Sequence, residues 1–545
     1  MHKCTIPIIK QMLPLNARKD IFFLVVILAI AAVYAINNQF IQDDAFISFR
    51  YGKNFAEGYG LVWYPGSTEF GYTSFLFTFL TGVLMKFGIN VPLAAYALSF
   101  PAFLGALAGT YFLGKQLFKN SWAPLLSTFA LATHLTFTSY ATGGLETSLQ
   151  TFFIIWTYYF GIVWIKSPNV SKSALLGACA TLALLTRLDS ALLLLPLYML
   201  VALHELKEFR KRIGFALAAI NNLLMVIAMP LVGVLALLYG CYTYYGYALP
   251  NTFYVKVDNV WHTDTGITYL YNYVRSQGYI PLLLILYCGW ELKSRKALLQ
   301  YQLLLLSPVI IWLLYILYIG GDFMEYRLLV PVLPFYFLLA FGFILGNTTH
   351  LKLFALFASI IVSAFIHKTY YGDSIDSPNN FEVVAFKQLQ TPMTEQPNNW
   401  LSVGKKLNEL FYSGSPDDVK IATTAAGALP YYSALPTIDQ LGINTRADKE
   451  WKIKFLDYPA HRQRLRDKFL IKENVNLVLD HPLYHYRKPL KCQNRPRLSF
   501  HTPVRGAPMV FIPVNQGYYL LAYYLTKHPK IEYYLENKVI LPCGK

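Results

Sequence analysis

Long, nearly uncharged apolar runs follow one another through the first two thirds of this chain, and nothing else constrains its fold as much. A bilayer core offers no water to satisfy backbone N–H and C=O groups, so runs of this length cross it as helices. Only 14% of the 545 residues are charged, against about 25% in an average soluble domain, and mean hydropathy is +0.38. The expected fold is therefore a polytopic α-helical membrane protein. No small-residue cleavage site follows the first run, 21–36, which reads as a retained span with Lys3, Lys10, Arg18 and Lys19 behind it. Such a basic tail stays in the cytoplasm.

Charge in the loops predicts the topology. After 21–36 runs outward, 74–87 is short and carries Lys86, so it is expected at the interface. The remaining spans are 93–113, 122–137, 149–165, 174–186, 191–203, 215–239, 280–290, 299–319, 328–345 and 351–366. Lys115, Lys119, Lys166, Lys172, Lys207 to Arg212, and Lys293 to Lys296 then all fall inside, as the positive-inside rule requires. The expectation is about eleven crossings, with the N-terminus in and the C-terminus out. The net charge of +17 is explained by these cytoplasmic loops and by anionic lipid headgroups, not by nucleic acid.

Residues 1–367 thus form a membrane module with a first outer loop at 39–92. Residues 368–545 lose the apolar runs and read as an extracytoplasmic α/β domain, with short strands at 419–424 and 475–479 and one face of a helix at 405–411. The basic run Arg462, Arg464, Arg466, Lys468 reads as a solvated helix face, or as a contact for anionic glycan or headgroups if functional. Cys492 and Cys543 are the cysteines of this domain, where thiols can be oxidised, and a disulfide between them is expected. There is no GxGxxG, P-loop, HExxH or CxxC pair, which argues against nucleotide hydrolysis, zinc proteolysis and thiol redox chemistry.

The same topology gathers ionisable residues at the outer face: Asp43 and Asp44, Glu146, Arg187 with Asp189, Lys256 with Asp258, and Asp322, Glu325 and Arg327. Any one of these is ordinarily an anchor at a span end, and Asp is a common helix cap. Two adjacent carboxylates repel unless a cation, a shared proton or a basic substrate group offsets them. Acids and bases together at the headgroup layer suit a site for an anionic lipid and a polar sugar.

The stretch Asp43–Asp44–Ala45–Phe46–Ile47–Ser48–Phe49–Arg50–Tyr51, then Glu57 to Trp63, Pro65–Gly66 and Gly71–Tyr72–Thr73–Ser74, resembles the first outer loop of one GT-C glycosyltransferase family. That family includes the terminal arabinofuranosyltransferases of mycobacteria and LphB-like proteins. Gly143 to Thr147, Leu249 to Lys256, Gly321–Asp322–Phe323 with Arg327 and Pro331, and Ala426 to Tyr432 running on to Ile438 to Gly442 continue the resemblance in order. One departure is visible: Phe70 separates Glu69 from Gly71 where the family reads Glu-Gly-Tyr-Thr, so no role is carried to Glu69.

The resemblance implies a GT-C-like membrane enzyme in the cytoplasmic (inner) membrane. It would move a sugar, such as a pentofuranose, from a polyprenyl-phosphate donor to a cell-envelope glycan or glycolipid on the outer face. Inverting transfer needs a general base for the acceptor hydroxyl and cationic groups for the departing phosphate. Asp43 and Asp44 are the candidate catalytic carboxylates, with Asp43 favoured as the base. Arg327, Arg187 and Lys256 are candidate phosphate partners, and Arg50, Tyr72, Glu146 and Asp322 candidate substrate contacts. A divalent cation (magnesium, manganese or calcium) between Asp43 and Asp44 would suit hard oxygen ligands. The competing class is a transporter or flippase for a lipid-linked or anionic solute, but the paired Gly/Pro-broken segments of inverted-repeat transporters are not evident.

Overall fold

The computed structural model describes residues 15–119, 122–211, 217–256, 260–294, 300–345, 349–372, 399–454, 462–481, 485–486, 507–514 and 516–543. Its helical half comprises α1 (Leu15–Asn37), α2 (Ala45–Ala56), α3 (Phe75–Lys86), α4 (Val91–Leu117), α5 (Trp122–Thr133), α6 (Leu135–Ser139), α7 (Thr147–Lys166), α8 (Val170–Thr186), α9 (Ser190–Lys211), α10 (Leu217–Tyr245), α11 (Asn251–Lys256), α12 (Thr263–Ser276), α13 (Ile280–Ser294), α14 (Gln300–Ile319), α15 (Leu333–Ile344) and α16 (His350–Ile366). Seven of these, α1, α4, α7, α9, α10, α14 and α16, contain stretches long and apolar enough to cross a membrane. Shorter apolar helices α3, α5, α8 and α15 accompany them. Exposed side chains such as Phe22, Val25 and Val33 on α1, Val232 and Leu235 on α10 and Phe354 and Phe365 on α16 leave apolar faces of the kind lipid covers. The chain is a helical membrane protein. The sequence count of about eleven adds α5, α8, α13 and α15, which length and composition alone do not carry across a bilayer.

The two ends of the bundle differ in chemistry. α1 has 23 residues and so spans about 34 Å. Near its start Asp20 pairs with Lys115 of α4 at 2.9 Å, and Lys166 at the end of α7 donates to the Gln116 carbonyl at 3.0 Å. Beyond its far end the Gln42 N–H donates to the Gly143 carbonyl at 3.1 Å, joining the first loop to the turn before α7. Basic loop residues therefore collect at one end, and Asp43, Asp44 and Glu146 at the other.

The C-terminal domain sits on that second end. It contains α17 (Trp400–Phe411), α18 (Ala428–Ser433), α19 (Asp467–Lys472) and α20 (Pro529–Glu536). Its strands are β1 (Ile421–Thr423), β2 (Thr437–Asp439), β3 (Lys452–Lys454), β4 (Gln463–Leu465), β5 (Leu477–Asp480), β6 (His485–Tyr486), β7 (Met509–Pro513), β8 (Tyr519–Tyr524) and β9 (Leu541–Pro542). A mixed sheet runs β2-β1-β5-β8-β7-β9, with β6 on β8, and β3 and β4 form a separate hairpin. β2, β1 and β5 are parallel and the rest antiparallel. The strands and the helix expected at 419–424, 475–479 and 405–411 appear as β1, β5 and α17. The basic run is not a helix face: Arg464 lies within β4, its side chain buried, while Arg466 and Lys468 are exposed.

Loops leaving the carboxyl ends of β1 and β2 meet the first loop of the helical half. Open α/β sheets bind ligands at this edge. Arg50 of α2, expected to contact substrate, is instead spent on the segment that enters β2. Its guanidinium donates to the Leu435 carbonyl at 2.7 Å and to Thr437 Oγ1 at 3.3 Å, and lies 4.4 Å over the Trp63 ring. Trp63 Nε1 donates to the Thr437 carbonyl at 2.8 Å. Burying a cation is costly unless it finds partners, and two hydrogen bonds and the Trp63 ring offset that cost here.

Candidate active site

The first loop places two adjacent carboxyls in two different surroundings. Asp44 precedes α2 and makes no side-chain cap hydrogen bond, so capping does not explain it. Asp43 turns to the C-terminal domain, where its Oδ1 accepts from the Ala428 N–H at 2.7 Å. Gly427 is required beside it, because a Cβ there would run into the Asp43 backbone and carboxyl carbon. Burial pushes the Asp43 carboxyl up to about 7; the charge of Asp44 adds to this, and the N–H groups of Ala428 and Gly427 oppose it.

Asp44 lines a cavity of about 260 Å³ together with Glu146, Arg187, Asp189, Asp322 and Arg327. Helix ends supply each of them. Glu146 precedes α7, Arg187 closes α8, and Asp189 lies just ahead of α9. Arg187 NH1 is 2.6 Å from Glu146 Oε1, and its NH2 is 2.5 Å from Asp189 Oδ2. Gln150 Nε2 holds Asp189 from the other side at 3.1 Å. Arg327 pairs with Asp322 at 2.5 Å.

The loop between α14 and α15 is shaped to present that second pair. Gly320 and Gly321 both take left-handed φ values, +83° and +82°, ending α14 in a tight turn. Tyr326 has φ of 40°, costly for a side chain of its size, and is packed against the Tyr269 and Tyr273 rings at 5.6 and 5.3 Å. Glu325 faces away from the cavity: its carboxylate accepts from Thr136 at 3.3 Å and meets His367 Nε2 at 2.6 Å. Arg327 is thus partnered by Asp322 and not by Glu325.

Tyr72 forms part of the cavity wall, its hydroxyl 3.1 Å from that of Tyr245. Lys256 ends α11, but its side chain and Asp258 lie outside the described residues. Glu69 ties loops together: its Oε2 accepts from Asn251 Nδ2 at 3.0 Å and from the Arg446 N–H at 2.8 Å. Cys543 is disulfide-bonded, while Cys492 lies outside the described residues. Among the described residues no group of three or more His, Cys, Asp or Glu side chains could hold a metal. Asp43 Oδ1 accepts from the Ala428 N–H, and of the two adjacent carboxyls only Asp44 lines the cavity.

Two lining residues escaped the sequence reading. Asp189 was noted beside Arg187 without a role. Arg462, which reads as part of a solvated or headgroup-contacting basic run, reaches the cavity from the C-terminal domain. The visible signal for Asp189 was its two-residue spacing from Arg187; nothing local marked Arg462.

A helical bundle thus meets a sheet-containing domain over a charged cavity, and this arrangement is that of a membrane protein with a ligand-sized site at one end of its bundle. Among solved structures the chain is similar to ArnT from Cupriavidus metallidurans bound to undecaprenyl phosphate, at 11% identity and a TM-score of 0.50, over 77% of this chain and 86% of that one. This likeness is one of fold. The oligosaccharyltransferase of Archaeoglobus fulgidus, tethered with an acceptor peptide, gives a TM-score of 0.47 at 11% identity over 84% and 69% of the two chains. The arabinosyltransferase EmbB from Mycobacterium smegmatis gives 0.40 at 12% identity over 61% and 31%. No family model and no curated protein matches the chain.

Proposed function

We propose that this cavity transfers a sugar from a polyprenyl-phosphate-linked donor to a glycan or glycolipid acceptor on the outer face of the cytoplasmic membrane. One observation carries the reading: the Asp44 carboxylate shares a single cavity with two arginines, Arg187 and Arg327, at the bundle end that meets the C-terminal domain. Asp44 accepts the proton of the acceptor hydroxyl as that oxygen attacks the anomeric carbon. The bond from that carbon to the phosphate oxygen breaks, its electron pair leaves with the lipid phosphate, and inversion follows. Arg327 and Arg187 receive the growing negative charge, their planar forks matching phosphate oxygens. Asp322, Glu146 and Asp189 aim those forks.

Asp44 replaces Asp43 as the base in this reading, because Asp43 is engaged with Ala428. Asp43 is then the joint that holds the C-terminal domain over the site. The topology that goes with it has about eleven crossings, an inner N-terminus and an outer C-terminal domain. The resemblance to arabinofuranosyltransferases makes a pentofuranose the sugar to test first. Purified chain given a polyprenyl-phosphate pentofuranose should release polyprenyl phosphate when acceptor glycolipid is added. Asp44→Asn should still bind the donor and release polyprenyl phosphate on the order of 10²-fold or more slowly; release at the parental rate by that variant would overturn the reading.

A further inference from the structure

The loop that carries Asp322 and Arg327 into the cavity is held from behind. Tyr326 stands between Glu325 and Arg327 with a left-handed φ of 40°. A side chain of this size keeps such a backbone only where its surroundings leave no other arrangement. On one side Trp312 Nε1 donates to the Leu328 carbonyl at 2.5 Å, and on the other the Tyr140 hydroxyl donates to the Glu325 carbonyl at 3.0 Å. The Tyr326 ring meets that of His367 at 6.1 Å between centroids, besides those of Tyr269 and Tyr273. The buried Glu325 carboxylate sits between Thr136 Oγ1 at 3.3 Å and His367 Nε2 at 2.6 Å.

His367 is itself built in. It follows α16 directly and is fully buried. Gln277, which caps α12, places its Nε2 2.5 Å from His367 Nδ1. Ser363, four residues before His367 and so on the same face of α16, donates to Gln277 Oε1 at 2.8 Å. An amide N–H only donates, so Nδ1 accepts and the ring proton lies on Nε2, the nitrogen beside Glu325. None of Gln277, Glu325, Ser363 and His367 lines the cavity.

We infer that His367 is a positioning residue of the site: through Glu325 it fixes the turn at Tyr326 that aims the Arg327 guanidinium at the phosphate of the polyprenyl substrate. This rests on the reading of the cavity given above. Without His367 the buried carboxylate loses a partner, and Glu325 relieves that cost by moving, which carries Tyr326 and Arg327 with it. A shift of about 1 Å in a positioning group is enough to weaken its hold on a substrate.

The test is binding of undecaprenyl phosphate to the purified full-length chain in detergent, with undecaprenol, which lacks the phosphate, as the second probe. His367→Phe keeps a ring but no nitrogen, and should weaken undecaprenyl phosphate about tenfold with undecaprenol unchanged. His367→Gln keeps a donor for Glu325 and should recover most of that loss. Arg327→Lys combined with His367→Phe should bind like Arg327→Lys alone, because both changes act on one guanidinium. Parental affinity in His367→Phe, an equal loss for both lipids, no recovery in His367→Gln, or losses that add in the double variant would each overturn the inference. If His367→Phe does not fold, Gln277→Leu removes the support behind the ring and should weaken undecaprenyl phosphate alone, by about threefold. Parental affinity there, or a loss shared by both lipids, would overturn it equally. A parent chain that binds the two lipids alike would instead overturn the reading of the cavity itself, and the inference with it.

Discussion

At the residue scale, adjacent carboxyls at the start of a helix do different work because neighbouring side chains point about 100° apart around its axis. Asp44 lines the cavity, and Asp43 accepts the Ala428 N–H. Asp44→Asn keeps the shape but cannot take a proton, so its transfer rate should fall on the order of 10²-fold or more, with undecaprenyl phosphate affinity retained. Asp43→Asn keeps an oxygen for Ala428 and should lose far less. Equal losses in the two variants, measured as initial rates, would contradict this division. Arg327→Lys retains charge but loses the fork that holds Asp322 and that, in the proposed reading, would also take a phosphate oxygen. Affinity for undecaprenyl phosphate should drop about tenfold in a binding titration, whereas a snorkelling anchor would show no change. The sequence made this set visible because Glu146, Arg187, Asp322 and Arg327 each lie at the same end of a span. It could not say which of Asp43 and Asp44 faces inward, because that depends on where residues near 428 dock, almost 400 positions away.

At the element scale, the joint between the first loop and the C-terminal domain is held by polar groups: buried Asp43 to Ala428, buried Arg50 to Leu435 and Thr437, and half-buried Glu69 to the N–H of the exposed Arg446. Arg50→Ala should cost about 2–3 kcal/mol by removing a charge-assisted bond to the Leu435 carbonyl, which keeps only the Thr437 hydroxyl at 2.8 Å, seen as a lower Tm and faster proteolysis of the domain. Its undecaprenyl phosphate affinity should be unchanged. The joint should also respond to pH. Burial raises both the Asp43 and the Glu69 carboxyl to about 7, whereas unfolded carboxyls titrate near 4. The folded chain thus holds more protons than the unfolded chain between about 4 and 7, and its stability falls as pH rises through that window. Tm should be higher at pH 5.5 than at pH 8, and Asp43→Asn should narrow the difference. A Tm that rises from pH 5.5 to 8 equally in parent and variant would contradict this. None of the joint was legible in the sequence. Arg50 reads as an outer-face cation, and only docking decides whether such a cation meets substrate or backbone carbonyls. The basic run 462–468 reads as one helix face, but the chain there is β4 followed by the start of α19.

At the scale of the whole molecule, the long apolar runs carried most of the fold, because the bilayer leaves helices little alternative. The sheet was legible only as two short strands, β1 and β5; its order depends on pairings between distant segments that no local pattern records. The basic loops predict an orientation. A reporter fused after Lys545 should be active only if it works in the periplasm, and one at Lys211 only if it works in the cytoplasm; the opposite pattern would reverse every side assignment. The central claim is that one cavity, with Asp44 as its base, performs lipid-linked sugar transfer. The most direct measurement is the envelope glycolipid profile of cells whose only copy carries Asp44→Asn, expressed at the parental level. The profile should lack the same glycan as cells without the protein; a profile identical to that of the parent would contradict the account.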